Sequence, residues 1–164
     1  SFKVSIFSSC DKILFQIKFR STLPPSPSKS FNTYIGYFTG RGSSTASLGE
    51  NNTFLGYNAG YSITHGIFNV IIGSKAGSGI TTGSSNVFIG PNSGLNNSSG
   101  ASNVFIGDKA GQANNASNNV FIGPNSGLNN SSGTSNVFIG NQTGEGSNNV
   151  ITGSATHRAE TIDG

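Results

Sequence analysis

The side chains able to do acid–base, nucleophilic or metal chemistry in this 164-residue chain are few and scattered. Its two histidines are His65 and His157, and its six carboxylates are Asp11, Glu50, Asp108, Glu145, Glu160 and Asp163. General acid–base catalysis needs titratable groups that converge, and no pair of these recurs at a fixed spacing. The serine-rich stretches contain no G-x-S-x-G elbow. The segment GSKAGSG at 73–79 lacks the order of glycine, four residues, glycine, lysine and Ser/Thr that cradles a phosphate. Acidic calcium-binding repeats do not occur. A single cysteine, Cys10, excludes an intrachain disulfide framework and the common structural zinc sites. It reads as a semi-buried or free thiol, because the apolar stretch before FSSC at 7–10 is too short for a lipoprotein cleavage box. The expectation is a protein that is not an enzyme, with no catalytic residues, no cofactor site and no metal site.

What the chain has instead is a repeated phrase, an Asn followed by three mostly apolar residues and a Gly, most often NVFIG. The asparagines are Asn32, Asn52, Asn69, Asn86, Asn103, Asn119, Asn136 and Asn149, with glycines at 36, 56, 73, 90, 107, 123, 140 and 153. Successive glycines are 20, 17, 17, 17, 16, 17 and 13 residues apart. A fixed period of this size marks a repeat architecture. A second signature of a small residue and Gly follows six of the eight phrases: Ala59-Gly60, Ala76-Gly77, Ser93-Gly94, Ala110-Gly111, Ser126-Gly127 and Thr143-Gly144. Segments 86–102 and 119–135 differ only at Ala101 and Thr134, so a two-unit block has been duplicated.

Glycines and β-branched residues dominate and no 3.6-residue periodicity appears, which excludes helix. The reading is all-β: a β-solenoid of about eight rungs, each a two-strand-per-coil β-roll. A triangular three-strand coil would require regular hexapeptides with an apolar residue on every side. In an extended NVFIG, Val87 and Ile89 share one face while Asn86 and Phe88 share the other. With Val and Ile placed inside, the column Tyr34, Phe54, Ile71, Phe88, Phe105, Phe121, Phe138 and Ile151 faces outward. Soluble monomers rarely expose such a stripe, so it is expected to be covered, first of all as an oligomer interface in a trimer and second by an N-terminal arm of this chain or a neighbour. The Asn32, Asn52, Asn69, Asn86, Asn103, Asn119, Asn136 and Asn149 column is expected to form an amide ladder that holds register.

Three regions separate on pattern. Residues 1–20 form a strand-like arm with alternating Phe2, Val4, Ile6 and Ile13, Phe15, Ile17, Phe19. Residues 21–30, STLPPSPSKS, read as an extended linker. Residues 31–164 form the solenoid domain. Only 9% of residues are charged, against roughly 25% in ordinary soluble domains. Of the net +3, residues 1–30 hold +4, from Lys3, Lys12, Lys18, Arg20 and Lys29 against Asp11, which leaves −1 for the rest. Nucleic-acid binding would need a basic stripe along the repeats, and only Arg41, Lys75, Lys109 and Arg158 occur there. No run of 18 apolar residues exists, so no transmembrane segment is expected.

The NVFIGxx[AS]G unit resembles the head repeats of trimeric autotransporter adhesins. It resembles still more the N-x-F-I-G-x-x-A-G arrays of phage-tail-fibre-like and bacterial surface proteins, over about residues 31–156. That resemblance implies trimeric, left-handed rolls at the cell surface or outside the cell, with adhesive or structural work. The autotransporter family continues into a coiled-coil stalk and a membrane barrel, whereas this chain has no heptads and ends in SATHRAETIDG. The leading expectation is therefore an extracellular, self-assembling fibre or filament subunit. It would associate through the Phe stripe, open solenoid ends and the N-terminal arm. The alternative is a trimeric adhesin or phage-tail-fibre-like receptor-binding module. Its partner would be a cell-surface glycan or protein, met at turn positions such as Tyr57, Tyr61 and Leu95. Ice binding would need a regular outward Thr array, which these mixed turns lack.

Overall fold

Every Asn-plus-three-plus-Gly phrase becomes one short strand. The computed structural model describes residues 2–6, 15–20, 31–42, 49–144 and 150–152, with side chains over 31–42 and 49–144. The strands are β1 (Phe2–Ile6), β2 (Phe15–Arg20), β3 (Asn32–Ile35), β4 (Thr53–Leu55), β5 (Val70–Ile72), β6 (Val87–Ile89), β7 (Val104–Ile106), β8 (Val120–Ile122), β9 (Val137–Ile139) and β10 (Val150–Thr152). They lie side by side in sequence order in one sheet. From β3 to β10 all pairings are parallel and like sits on like, as in Val87↔Val104, Phe88↔Phe105 and Ile89↔Ile106. The result is an all-β parallel solenoid, described without a break over about six turns from β4 to β9.

Each turn contains one strand, which corrects the two-strand coil. The rest of each turn cannot extend because left-handed residues interrupt it. In the turn after β6 these are Gly90 (φ 127°), Asn92 (φ 55°) and Gly94 (φ 59°), followed by Ser102 (φ 58°) just before the next strand. The bent limb still stacks on its neighbours through backbone hydrogen bonds, such as Gly94 N–H to Ala110 O at 2.9 Å and Asn96 N–H to Gln112 O at 3.0 Å. Gly and Asn supply this conformation at low cost, which is one reason they recur in the repeat. Gly90 is required by contact as well as by φ: a β-carbon there would stand 2.5 Å from the Gly107 carbonyl oxygen of the next turn.

The arm lies in cis. β1 and β2 form an antiparallel hairpin and β2 pairs antiparallel with β3, with Ile17 opposite Ile35 and Phe19 opposite Thr33. The first strand of the solenoid is thus paired with the chain's own hairpin, one of the two placements of the arm left open by the sequence. Ile13 and the linker 21–30 lie outside the described residues.

The core is the column expected outside. Phe54, Ile71, Phe88, Phe105, Phe121 and Phe138 are fully buried and Tyr34 is 3% exposed. The rings of Phe88, Phe105, Phe121 and Phe138 stack with centroids 4.8–5.0 Å apart and planes within 7°. That spacing is the strand separation of a sheet, so the backbone ladder imposes the stack on rings that left alone prefer offset or edge contacts. Small residues close the other side of the interior: Ala59, Ala76, Ser93, Ala110, Ser126 and Thr143 are buried.

Candidate interaction face

Parity decides what this sheet offers to a partner. With Phe inside, the first and third residue of each strand must point out: Val87 and Ile89 on β6, Val104 and Ile106 on β7, and their counterparts along the sheet. These side chains are half-exposed to exposed, reaching 36% for Val70, 43% for Leu55 and 39% for Ile139. The expected Phe interface is therefore corrected. Tyr34, Phe54, Ile71, Phe88, Phe105, Phe121 and Phe138 fill the interior, and Val, Ile and Leu form the outer stripe. Ile151 lies on β10, where side chains are not described.

Two contacts explain the choice. The Phe rings need a floor without a β-carbon, and the second-signature glycines Gly60, Gly94, Gly111 and Gly127 provide it. The Asn side chains share parity with Phe and find their partners inside. Asn86 Oδ1 accepts from Asn103 N–H at 3.0 Å and from Asn103 Nδ2 at 3.1 Å. Asn86 Nδ2 donates to Asn69 Oδ1 at 3.1 Å and to Gly100 O at 2.9 Å. The same Oδ1-to-backbone link joins Asn32 to Asn52, Asn52 to Asn69, Asn103 to Asn119 and Asn119 to Asn136. The Asn ladder thus exists from Asn32 to Asn136, inside the coil, while Asn149 lies outside the described residues. Buried amides of this kind persist only when their donors and acceptors are used.

The outer stripe bears no charged residue between β3 and β9; its first column runs from Thr33 and Thr53 into Val70, Val87, Val104, Val120 and Val137. Like-charge repulsion between copies, the usual safeguard against sheet association, is missing from it. Reasoning from alternation alone left this face to the interior. The signal for the correct choice was the Gly six residues after each Phe, as in Phe88 and Gly94, a spacing that a ring lying across the coil requires.

A second feature lies on the turns after β3 and β4. Tyr37 (42% exposed), Phe38 (41%), Tyr57 (46%) and Tyr61 (36%) cluster there, with Tyr37 and Tyr57 parallel to within 2° and 6.0 Å apart. The Arg41 guanidinium carbon sits 4.9 Å from the Phe38 ring centre and 6.0 Å from that of Tyr61. Leu95, the third turn position expected to meet a receptor, lies half-buried two turns beyond Tyr61.

Of the histidines and carboxylates named above, Glu50, His65 and Asp108 fall within the described side chains, and no cluster of three His, Cys, Asp or Glu occurs among the described residues. Among those residues no helix is long and apolar enough to cross a membrane. Comparison with protein-family models, with curated proteins and with solved structures finds no match to this chain.

Proposed function

We propose that the protein is a structural, non-enzymatic subunit of an extracellular fibre or filament, whose copies associate laterally through the outer Val/Ile face. The carrying observation is that an uncharged outer stripe runs across successive strands from β3 to β9, apolar in both columns from β5 to β9 and with Thr33 and Thr53 in its first column before that. Its length is roughly 30 Å for seven strands at the usual sheet spacing. Covered by a second copy, it would remove on the order of 600 Å² per partner, a little under the roughly 800 Å² typical of stable complexes. Two such faces pack as sheets about 10 Å apart, side chains interdigitating. Identical rungs make the stripe self-complementary at every register of one strand spacing, which favours staggered, extendable assemblies over one closed pair. Low charge density on the remaining surface supports the same reading.

The test is sedimentation velocity and negative-stain microscopy of the full chain beside a variant carrying Val104→Lys and Ile106→Lys. The reading expects elongated assemblies from the parent and folded monomers from the variant. Assemblies of unchanged size from the folded variant would refute it.

A second reading, a surface adhesin or phage-tail-fibre-like receptor-binding module, is favoured by the exposed aromatic cluster on the first turns. It expects binding to a cell surface or glycan by particles of finite size.

A further inference from the structure

The cluster of Tyr37, Phe38, Arg41, Tyr57 and Tyr61 is not something the repeat needs. At the position of Tyr37 and Tyr57, later turns place Ser74, Pro91, Asp108, Pro124 and Asn141; at that of Tyr61 they place Ser78, Leu95, Gln112 and Leu128. Those turns make the same stacking hydrogen bonds without an aromatic ring. Lys75 N–H reaches Tyr57 O at 2.7 Å, and Asn92 N–H reaches Ser74 O at 3.0 Å.

Phe38 is the sharper departure. It holds φ 55°, where the equivalent residues are Asn58, Lys75, Asn92, Lys109, Asn125 and Gln142. A bulky aromatic in the left-handed region is unfavourable, and Phe68 (φ 58°) is the other one among the described residues, without a cation on its ring. The Phe38 ring carries the Arg41 guanidinium on its face.

We propose that this cluster is a binding site for a saccharide bearing a carboxylate. Exposed aromatic faces carry negative charge at their centres and attract the polarised C–H bonds on the flat side of a pyranose ring. Stacking orients a guanidinium and leaves its edge N–H groups available for a bidentate carboxylate bond. Among the described residues the Arg41 guanidinium meets the Phe38 and Tyr61 rings and no carboxylate. Exposed Lys75, on the turn stacked against Tyr57, adds a second cation along the same edge. A neutral sugar would leave Arg41 unused, and a purely apolar partner would have to desolvate it. The site is independent of the Val/Ile face and rests on the second reading above, whose ligand class it names.

Tyrosine fluorescence reads the site directly: the chain has no Trp and four tyrosines, of which Tyr37, Tyr57 and Tyr61 lie in the cluster. The full chain is titrated with a glucuronic-acid hexasaccharide, a neutral glucose hexasaccharide and a hexaglutamate peptide, and each result is checked by calorimetry. Expected are saturable binding of the acidic sugar and at least tenfold weaker binding of both other probes. Arg41→Gln should lose at least tenfold, and Tyr57→Ala and Tyr61→Ala several-fold each. Lys109→Gln, on a turn without the cluster, should bind as the parent does. The assembly-deficient Val104→Lys, Ile106→Lys variant should also bind normally, which separates this site from the proposed function. No binding of the acidic sugar, equal binding of the neutral sugar or the peptide, or unchanged affinity in folded Arg41→Gln would each overturn the proposal.

Discussion

The ring of Phe88 lies flat over Gly94, six residues further along the chain, where a β-carbon would stand 2.6 Å from ring atoms Cδ2 and Cε2. Gly94 also holds φ 59°. Ring and glycine are therefore one unit: the aromatic can lie across the coil only because the opposite limb is bare at that point.

Gly94→Ala meets both obstacles, the left-handed backbone and the ring. The expected loss is about 2–4 kcal/mol, summing the penalty for a left-handed alanine with overpacking. Urea denaturation followed by circular dichroism measures it. A Phe88→Leu, Gly94→Ala pair should lose less than the sum of the single variants, because the smaller side chain relieves the clash.

Adjacent residues on one strand should behave oppositely. Phe105→Lys puts a charge into a fully buried stack and should prevent folding, whereas Val104→Lys, half-exposed on the outer face, should leave the circular dichroism spectrum unchanged. Equal effects of the two substitutions would contradict the parity described here.

In the Asn ladder, Asn86→Asp replaces an Nδ2 donor by an oxygen facing Gly100 O and Asn69 Oδ1. Burial and these acceptors disfavour the carboxylate, so its folded pKa rises above the unfolded value of about 3.9. A raised pKa means the variant is closest to the parent below that unfolded value and loses stability as pH rises through the folded one. Urea midpoints of parent and variant from pH 3 to 7 should diverge with increasing pH.

Ile63, Ile80, Asn97, Asn114 and Asn130 occupy equivalent interior positions, so the column changes from Ile to Asn between Ile80 and Asn97. Asn114 and Asn130 are linked to each other at 3.3 Å, but neither amide atom of Asn97 has a hydrogen-bond partner. Asn97→Ile should extend the apolar column and stabilise the fold by about 1–2 kcal/mol, since an unsatisfied buried amide is removed. A higher thermal midpoint is the expected result; a lower one would show that the Asn97 site cannot accept the added branch.

Much of the architecture was legible because repeats make one observation many times. The glycine spacing, the Asn column and the β-branched strands define parallel strands, a stacked ladder and a solenoid, since each unit must satisfy its backbone on an identical neighbour. The number of strands per turn was harder to read. The segment from Gly90 to Ser102 has strand-compatible composition, and its bends depend on left-handed residues whose effect is set by contacts with adjacent turns.

The sequence by itself determined the period, the like-on-like register and the existence of two apolar faces on each strand. Tertiary structure alone decided which face is inside. Val87 and Ile89 on one side and Phe88 on the other are all apolar, so burial energy does not separate the alternatives strongly. The decision comes from partners brought together across the coil: Gly94 makes room for the Phe88 ring, and Gly100 O with the neighbouring amides satisfies Asn86. Alternation along a strand cannot encode contacts that exist only once the chain has turned back on itself.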